Sequence, residues 1–414
     1  MTRIEAIAIG NELLSGDLAD AHIMRFGAFL RERGLGLTRA QTVPDDLAAI
    51  GDAISQAAQR ADVVLVTGGL GSTSDDITVD AVAALLGVDR VVDGPSVERI
   101  RARSAALGRT PTPAQLEQAS IPAGSEALFN REGSAPGVRL THDGATIFLF
   151  PGVPVELEAL LEDHLIPWVD QTLPIRPVRS AVFKTFGDTE SGIATRLEGV
   201  DWEGAHVAYR ATFPEVHLTL FLEDADPGEG AARLDRLRLR VRERLGRVLF
   251  GEGPEVSFPG AVGEACARAG YTVAVAESCT GGLLSQSLTG VSGASAWFLE
   301  GVVTYSDEAK TRLLGVPTDL IRSRGAVSEV VASAMATGIR ERSGADIGVG
   351  ITGVAGPTGG TQEKPVGTVH VAVASEHGVV HRHLKLPFDR PRNRHASAWK
   401  ALQMIHRVAR APNT

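Results

Sequence analysis

Apolar residues in this chain follow two rhythms. Short runs with almost no polar position, "IEAIAIG" (4–10), "ADVVLVTGG" (61–69) and "ATIFLFPGVP" (145–154), read as strands without a wet face. Between them, "DAHIMRFGAFLRERG" (20–34) sets Ile23, Phe26, Phe29 and Leu30 on one side of a helix. "TVDAVAALLG" (78–87) and "VELEALLEDHLIPWV" (155–169) also read as helices. Fully apolar strands separated by amphipathic helices predict a parallel sheet covered on both faces.

The rhythm changes near "TLPIRP" (172–177). From there to about 250 the pattern is α+β: strands over 178–187 and 215–223, a short helix over 190–199 and a long one over 231–250. The Arg run of that last helix reads as a solvated face. "GEGPEVSFPG" (251–260) reads as a linker or boundary. A third unit, again layered α/β, has helices over 259–269, 279–289, 328–342 and about 392–410. Its strands cover 271–277, 300–306, 346–353, 366–375 and 379–387. The expected fold class is multidomain α/β, divided at 1–170, 171–255 and 258–414.

Composition narrows the classes of function. A chain of 414 residues is long for one core. Its formal net charge of −9 weighs against a nucleic-acid groove as the main function. Small phosphorylated ligands stay open, because they need only a few arginines and a helix N-terminus. Two cysteines, Cys266 and Cys279, exclude a disulfide framework and a structural zinc site. The first residues lack the charged start and long apolar run of a signal peptide, and no stretch has transmembrane length. A soluble cytoplasmic protein is expected, with no membrane contact.

Candidate chemistry concentrates at two turns. In the third unit, "AVAESCTGG" (274–282) puts Ser278 and Cys279 at the edge of a buried strand, before an expected helix start with free N–H groups. Gly281 and Gly282 let a substrate approach the backbone. Plain helix capping by Ser or Thr is the bland alternative. "GVVTYSDEAK" (301–310) brings Tyr305 and Lys310 toward the same edge. A serine activated by a desolvated lysine, with a tyrosine to relay protons, suits amide hydrolysis. "GITGVAGPTGG" (350–360) supplies a glycine loop, and "FDRPRNRHASAWKAL" (388–402) supplies Arg390, Arg392 and Arg394 at a helix start, where an anion is expected nearby. Cys279 is the better intrinsic nucleophile if the helix end lowers its pKa, so the residues alone leave Ser278 and Cys279 both open.

These four ordered motifs, spanning 258–414, closely resemble the C-terminal domain of the CinA family. The resemblance implies deamidation of nicotinamide mononucleotide (NMN) to nicotinate mononucleotide and ammonia, with no cofactor. It implies Ser278 as nucleophile with Tyr305 and Lys310 as its activating partners. The substrate would be held by Thr280, Gly281, Gly282, Thr352, Gly356 and the loop arginines, Arg392 ahead of Arg394 and Arg390.

In the first unit, "ADVVLVTGGLGSTSDDITVDA" (61–81) is strand, glycine-rich loop, helix. Gly68, Gly69 and Gly71 with Ser72 and Thr73 can cradle phosphate, and Asp75 and Asp76 suit a hard divalent cation. It is not a P-loop, since the Gly-Lys-Ser/Thr ending is missing. Simple N-capping by Ser74 or Asp75 is the alternative. With "AIGNELLSGD" (8–17) and "FPGVPVELEAL" (150–160), this loop resembles the molybdopterin-binding (MoaB/MogA-like) fold, as found in the N-terminal domain of the same family. The resemblance implies a metal-dependent ADP-ribose pyrophosphatase, with K+ as a further candidate ion and Asn11 and Glu12 beside the phosphate loop. Relatives often carry Asp or Thr where this chain has Asn11, and Pro where it has Ser72. The expected partners are NMN and ADP-ribose, in a homodimer. Two alternatives belong to other classes: a non-enzymatic competence or DNA-damage partner, and a molybdopterin-binding protein.

Overall fold

The computed structural model describes residues 2–223 and 227–410, so the last four positions of the expected third segment lie outside the described residues. The chain divides into two compact units. One is built chiefly from residues up to Arg179, and the other from Ser180–Leu222 and the residues from Ala231 onward.

In the first unit, four strands are parallel, in the order Leu37–Val43, Ile4–Ile9, Val63–Thr67, Ala145–Phe150. Their alternate residues feed two cores, which explains why the strand sequences lack polar positions. Ile7, Val64 and Val66 pack with Ile50, Ile54 and Val82 on one face. Ile4, Val63 and Leu65 pack with Phe26, Leu30, Leu157 and Leu160 on the other. The all-parallel expectation fails at one edge, where Gly137–His142 and Glu126–Leu128 add antiparallel strands. The reason is a two-residue hairpin loop: Asp143 and Gly144 both take positive φ (51° and 84°), the Asp-Gly turn that joins twisted antiparallel strands.

The second unit holds two sheets. The smaller has the strand order His206–Thr212, Glu215–Glu223, Val178–Phe186, Leu249–Glu252. Leu218, Leu220 and Phe183 pack there against Leu237, Val241 and Leu245 of the long helix. Several arginines on that helix's outer side are part-exposed and also ion-paired. Arg236 and Arg240 meet Glu203 at 2.9 and 2.8 Å, and Arg242 meets Glu252.

The larger sheet runs Phe298–Val303, Val273–Glu277, Ile347–Gly353, Thr368–Ser375, Gly378–Lys385. The first three strands are parallel and the last two reverse. Val273 and Val275 face the helices Phe258–Ala269 and Arg390–Ala409, and Ala274 and Ala276 face Glu329–Ser343.

The segment at 251–260, expected to be a linker or boundary, is packed into the second unit. Phe258, 1% exposed, stacks on Phe250 (centroids 4.3 Å apart, planes 19°) and lies 5.6 Å from Phe186. The two sheets therefore share one apolar core. Among the described residues no helix is long and apolar enough to cross a membrane.

Candidate functional site

Parallel strands of the larger sheet deliver Ser278 and Thr352 to the same edge, and the 300–306 run delivers Tyr305 beside them. A cavity of about 280 Å³ opens there, lined by Ser278, Tyr305, Asp307, Lys310, Thr352 and Arg390 among others. Lys310 lies on the helix Asp307–Leu314, which starts at the Ser306 cap, where the hydroxyl accepts from the Ala309 N–H at 3.1 Å. One turn into that helix, the lysine is carried inward to 1% exposure. Its Nζ is 3.4 Å from Ser278 Oγ and donates to the Thr304 carbonyl at 3.1 Å. The Asp307 carboxylate is 3.8 Å away. Burial pushes the Lys310 ammonium below the ordinary lysine value, against the opposing pull of Asp307. Burial also pushes the neighbouring Cys279 thiol up to about 12. A thiol held that far up carries almost no thiolate at neutral pH. Tyr305 is 61% exposed at the cavity mouth, and its hydroxyl accepts from Arg390 at 3.1 Å rather than meeting Ser278.

The helix after Ser278 begins at Leu283, not at Cys279. Gly281 and Gly282 both have positive φ (59° and 92°), which turns the chain before the helix can start. The expected free helix N-terminus is also already engaged. Glu277, 0% exposed, accepts from the N–H groups of Gly282, Leu284 and Ser285 and from Ser285 Oγ, at 2.7–3.1 Å. A buried carboxylate with four charge-assisted donors locks the turn that carries the serine. Glu277→Gln replaces one oxygen by an NH2 facing those donors. It should cost about 1–3 kcal/mol of stability by urea unfolding, and an unchanged midpoint would show the cap to be dispensable.

The arginines separate by helical geometry. Arg390 lines the cavity, donating to the Gly356 carbonyl at 2.7 Å and to Tyr305. Arg394, one turn on, forks onto the Thr280 carbonyl at 2.7 and 3.2 Å and pins the serine turn from below. Arg392, the expected lead contact, lies 5.6 Å over the Phe213 ring and does not line the cavity. The anion expected at this helix start is the chain's own Asp389, which accepts from the Arg392 N–H at 2.9 Å. Phe213 also packs edge-on against Phe388 at 5.0 Å, and Glu215 accepts from Trp399 at 2.7 Å. A hairpin tip of the smaller sheet thus braces the segment that carries the arginines. Thr352 lines the cavity, with its hydroxyl donating to the Ala326 carbonyl. Thr280, Gly281 and Gly282 form the turn rather than the wall.

In the first unit, a cavity of about 390 Å³ is lined by Gly68, Gly69, Gly71, Ser72, Thr73, Asp75 and Asp76, together with Glu12. Asn11 is not in the wall; its N–H donates to Asp45 at 2.8 Å. Asp45 and Glu156 also line the cavity, and sequence spacing did not single them out. Burial pushes the Glu156 carboxyl upward, against the buried Asn130 amide at 2.8 Å. Asp76 accepts from the Thr73 N–H at 2.8 Å and from its hydroxyl at 2.6 Å, so it also closes the loop. Among the described residues no three His, Cys, Asp or Glu side chains converge to hold a metal ion. Asp75 and Asp76, the residues expected to hold a divalent ion, both line this cavity.

Comparison with known proteins covers nearly the whole chain. Residues 256–409 match the "CinA C-terminal domain", 180–251 the "Damage-inducible protein CinA KH domain" and 5–171 the "Probable molybdopterin binding domain". A CinA-like protein of Geotalea uraniireducens is 38% identical over 98% of this chain and 97% of its own length. One of Anaeromyxobacter dehalogenans is 41% identical over 99% of this chain and all of its own. A solved structure, the competence/damage inducible protein CihA from Agrobacterium tumefaciens, is 42% identical over 36% of this chain and 96% of its own, with a TM-score of 0.34. Matched from end to end by relatives of this name, the chain belongs to the CinA family.

Proposed function

We propose that the larger sheet of the second unit carries an NMN amidohydrolase. The observation that supports this best is a fully buried lysine whose Nζ lies 3.4 Å from the hydroxyl of a serine at the floor of a cavity. Ser278 Oγ attacks the carboxamide carbon as its proton passes to the neutral Nζ of Lys310. The tetrahedral adduct collapses, and Lys310 returns that proton to the departing nitrogen, which leaves as ammonia. Water, deprotonated by the same lysine, then cleaves the acyl-serine ester to give nicotinate mononucleotide and restore the hydroxyl. Arg390 takes the anionic part of the substrate, and Tyr305, hydrogen-bonded to it, acts from the cavity mouth. Arg394 and Glu277 hold the serine turn.

The glycine-rich cavity of the first unit is assigned a separate, metal-dependent cleavage of the ADP-ribose pyrophosphate, giving AMP and ribose 5-phosphate. A divalent ion held by Asp75 and Asp76, its shell completed by water and substrate phosphate, would neutralise phosphate charge there. Small nucleotides are the partners of both cavities, in a cytoplasmic homodimer.

One product assay tests both assignments. Purified full-length protein is expected to release ammonia from NMN equally with and without EDTA. Release of AMP from ADP-ribose should require added Mg2+ and should fall in Asp75→Asn. Ammonia release abolished by chelation, or absent altogether, defeats the first assignment. AMP release indifferent to metal defeats the second.

A further inference from the structure

The strand Gly378–Lys385 and the helix Arg390–Ala409 diverge at the end of the larger sheet opposite Ser278. The strand Thr368–Ser375 runs antiparallel to Ile347–Gly353, so its last residues lie where the parallel strands begin. Between strand and helix is a trough of about 270 Å³. Alternation on the strand turns Val380 and Arg382 toward it. Helical spacing sets Lys400, Met404, Arg407 and Val408 along the opposite wall.

The trough has an apolar floor and a cationic rim. Val380 is 44% exposed, and Met404 and Val408 lie beside it. No Asp or Glu lines it, in a chain with 50 acidic and 41 basic residues. Among the described residues none of Arg382, Lys400 and Arg407 forms an ion pair. Lys400 Nζ donates to Gln403 at 2.7 Å, and Arg382 donates to the backbone carbonyl of His381 at 2.7 Å. Beside burial, Arg407 holds down the Lys400 charge, and Arg382 acts on both. Lys400 is lowered by burial and then by Arg407 and Arg382, and Arg407 by burial, Arg382 and Arg247. Arg407 lies in the last helical turn, where the macrodipole favours one cation, but that does not account for three. Elsewhere many arginines do meet a carboxylate, as Arg60 meets Glu5 and Arg342 meets Glu300.

We propose that this trough binds a small organic anion, a carboxylate or phosphate carried on an aromatic or aliphatic body. The anionic head supplies the missing countercharge to the three cations, and the body covers Val380, Met404 and Val408. A bare inorganic ion would answer the rim alone. The site is distinct from the serine cavity and shares with it only the helix that carries Arg390 at its other end.

Isothermal titration of the full-length protein with benzoate and with phenyl phosphate tests this and shows which head group is preferred. Binding at one site per chain is expected, weaker at higher salt. Affinity should drop about tenfold in Arg407→Ala and further in the Arg382→Ala/Arg407→Ala double variant. Both arginines are exposed, and an unchanged melting temperature checks that the fold is kept. Arg390→Ala, which alters only the serine cavity, should leave the affinity as it was. No binding of either probe up to about 10 mM, equal affinity in the double variant, or loss of binding in Arg390→Ala would each overturn the proposal.

Discussion

Ser278→Ala is expected to abolish ammonia release from NMN, a loss of at least about a thousandfold in kcat, while the chain stays folded and Cys279→Ala keeps most of its activity. The two residues are neighbours and both are buried, at 8% and 6% exposure, so access does not separate them. Their chemistry does. The Cys279 thiol is pushed up to about 12 by burial, and an unionised thiol is a poor nucleophile. Ser278 has the buried Lys310 beside it, with Nζ 3.4 Å from its oxygen. Steady-state ammonia release by both variants decides between them. The opposite pattern, an active alanine at 278 and a dead one at 279, would transfer the role of nucleophile to sulfur.

Lys310→Met should lower kcat by about 10²–10⁴-fold, the usual worth of a positioned base. Lys310→Arg should not restore it, because a guanidinium stays protonated. The pH profile carries the sign. A lysine lowered from 10.5 works as a base only after losing its proton, so wild-type kcat/KM must rise with pH through that lowered value. Stability moves the same way. Between the lowered folded value and the ordinary unfolded one, the unfolded chain binds more protons, so unfolding free energy rises with pH across that window. The methionine variant should lose both the ascending limb and this contribution to the slope. A wild-type profile with no ascending limb at any pH below 10.5 would remove Lys310 as the base.

The inner strands Val273–Glu277 and Ile347–Gly353 of the larger sheet were legible because they are apolar on both sides, and burial on both faces is what such runs require. The start of the next helix was misplaced by a few residues. Spacing alone does not reveal that Gly281 and Gly282 turn the backbone through positive φ first. Glu277 did leave a signal, an acid closing an otherwise apolar strand, since a charge there must find donors. The arginine ranking could have been corrected from helix geometry. Residues 390 and 394 are one turn apart and share a side, and residue 392 points away from both. Asp45 and Glu156 could not be found that way, because each reaches the first cavity from a distant stretch of chain. The antiparallel edge was announced by the Asp143–Gly144 pair, which outweighs the strand–helix rhythm around it.

The stacked rings of Phe250 and Phe258 set a limit on how this protein can be taken apart. A cut between them, where composition alone invites one, would leave aromatic surface bare on both fragments, and each would tend to self-associate. The larger sheet and the segment before it are better handled as one piece.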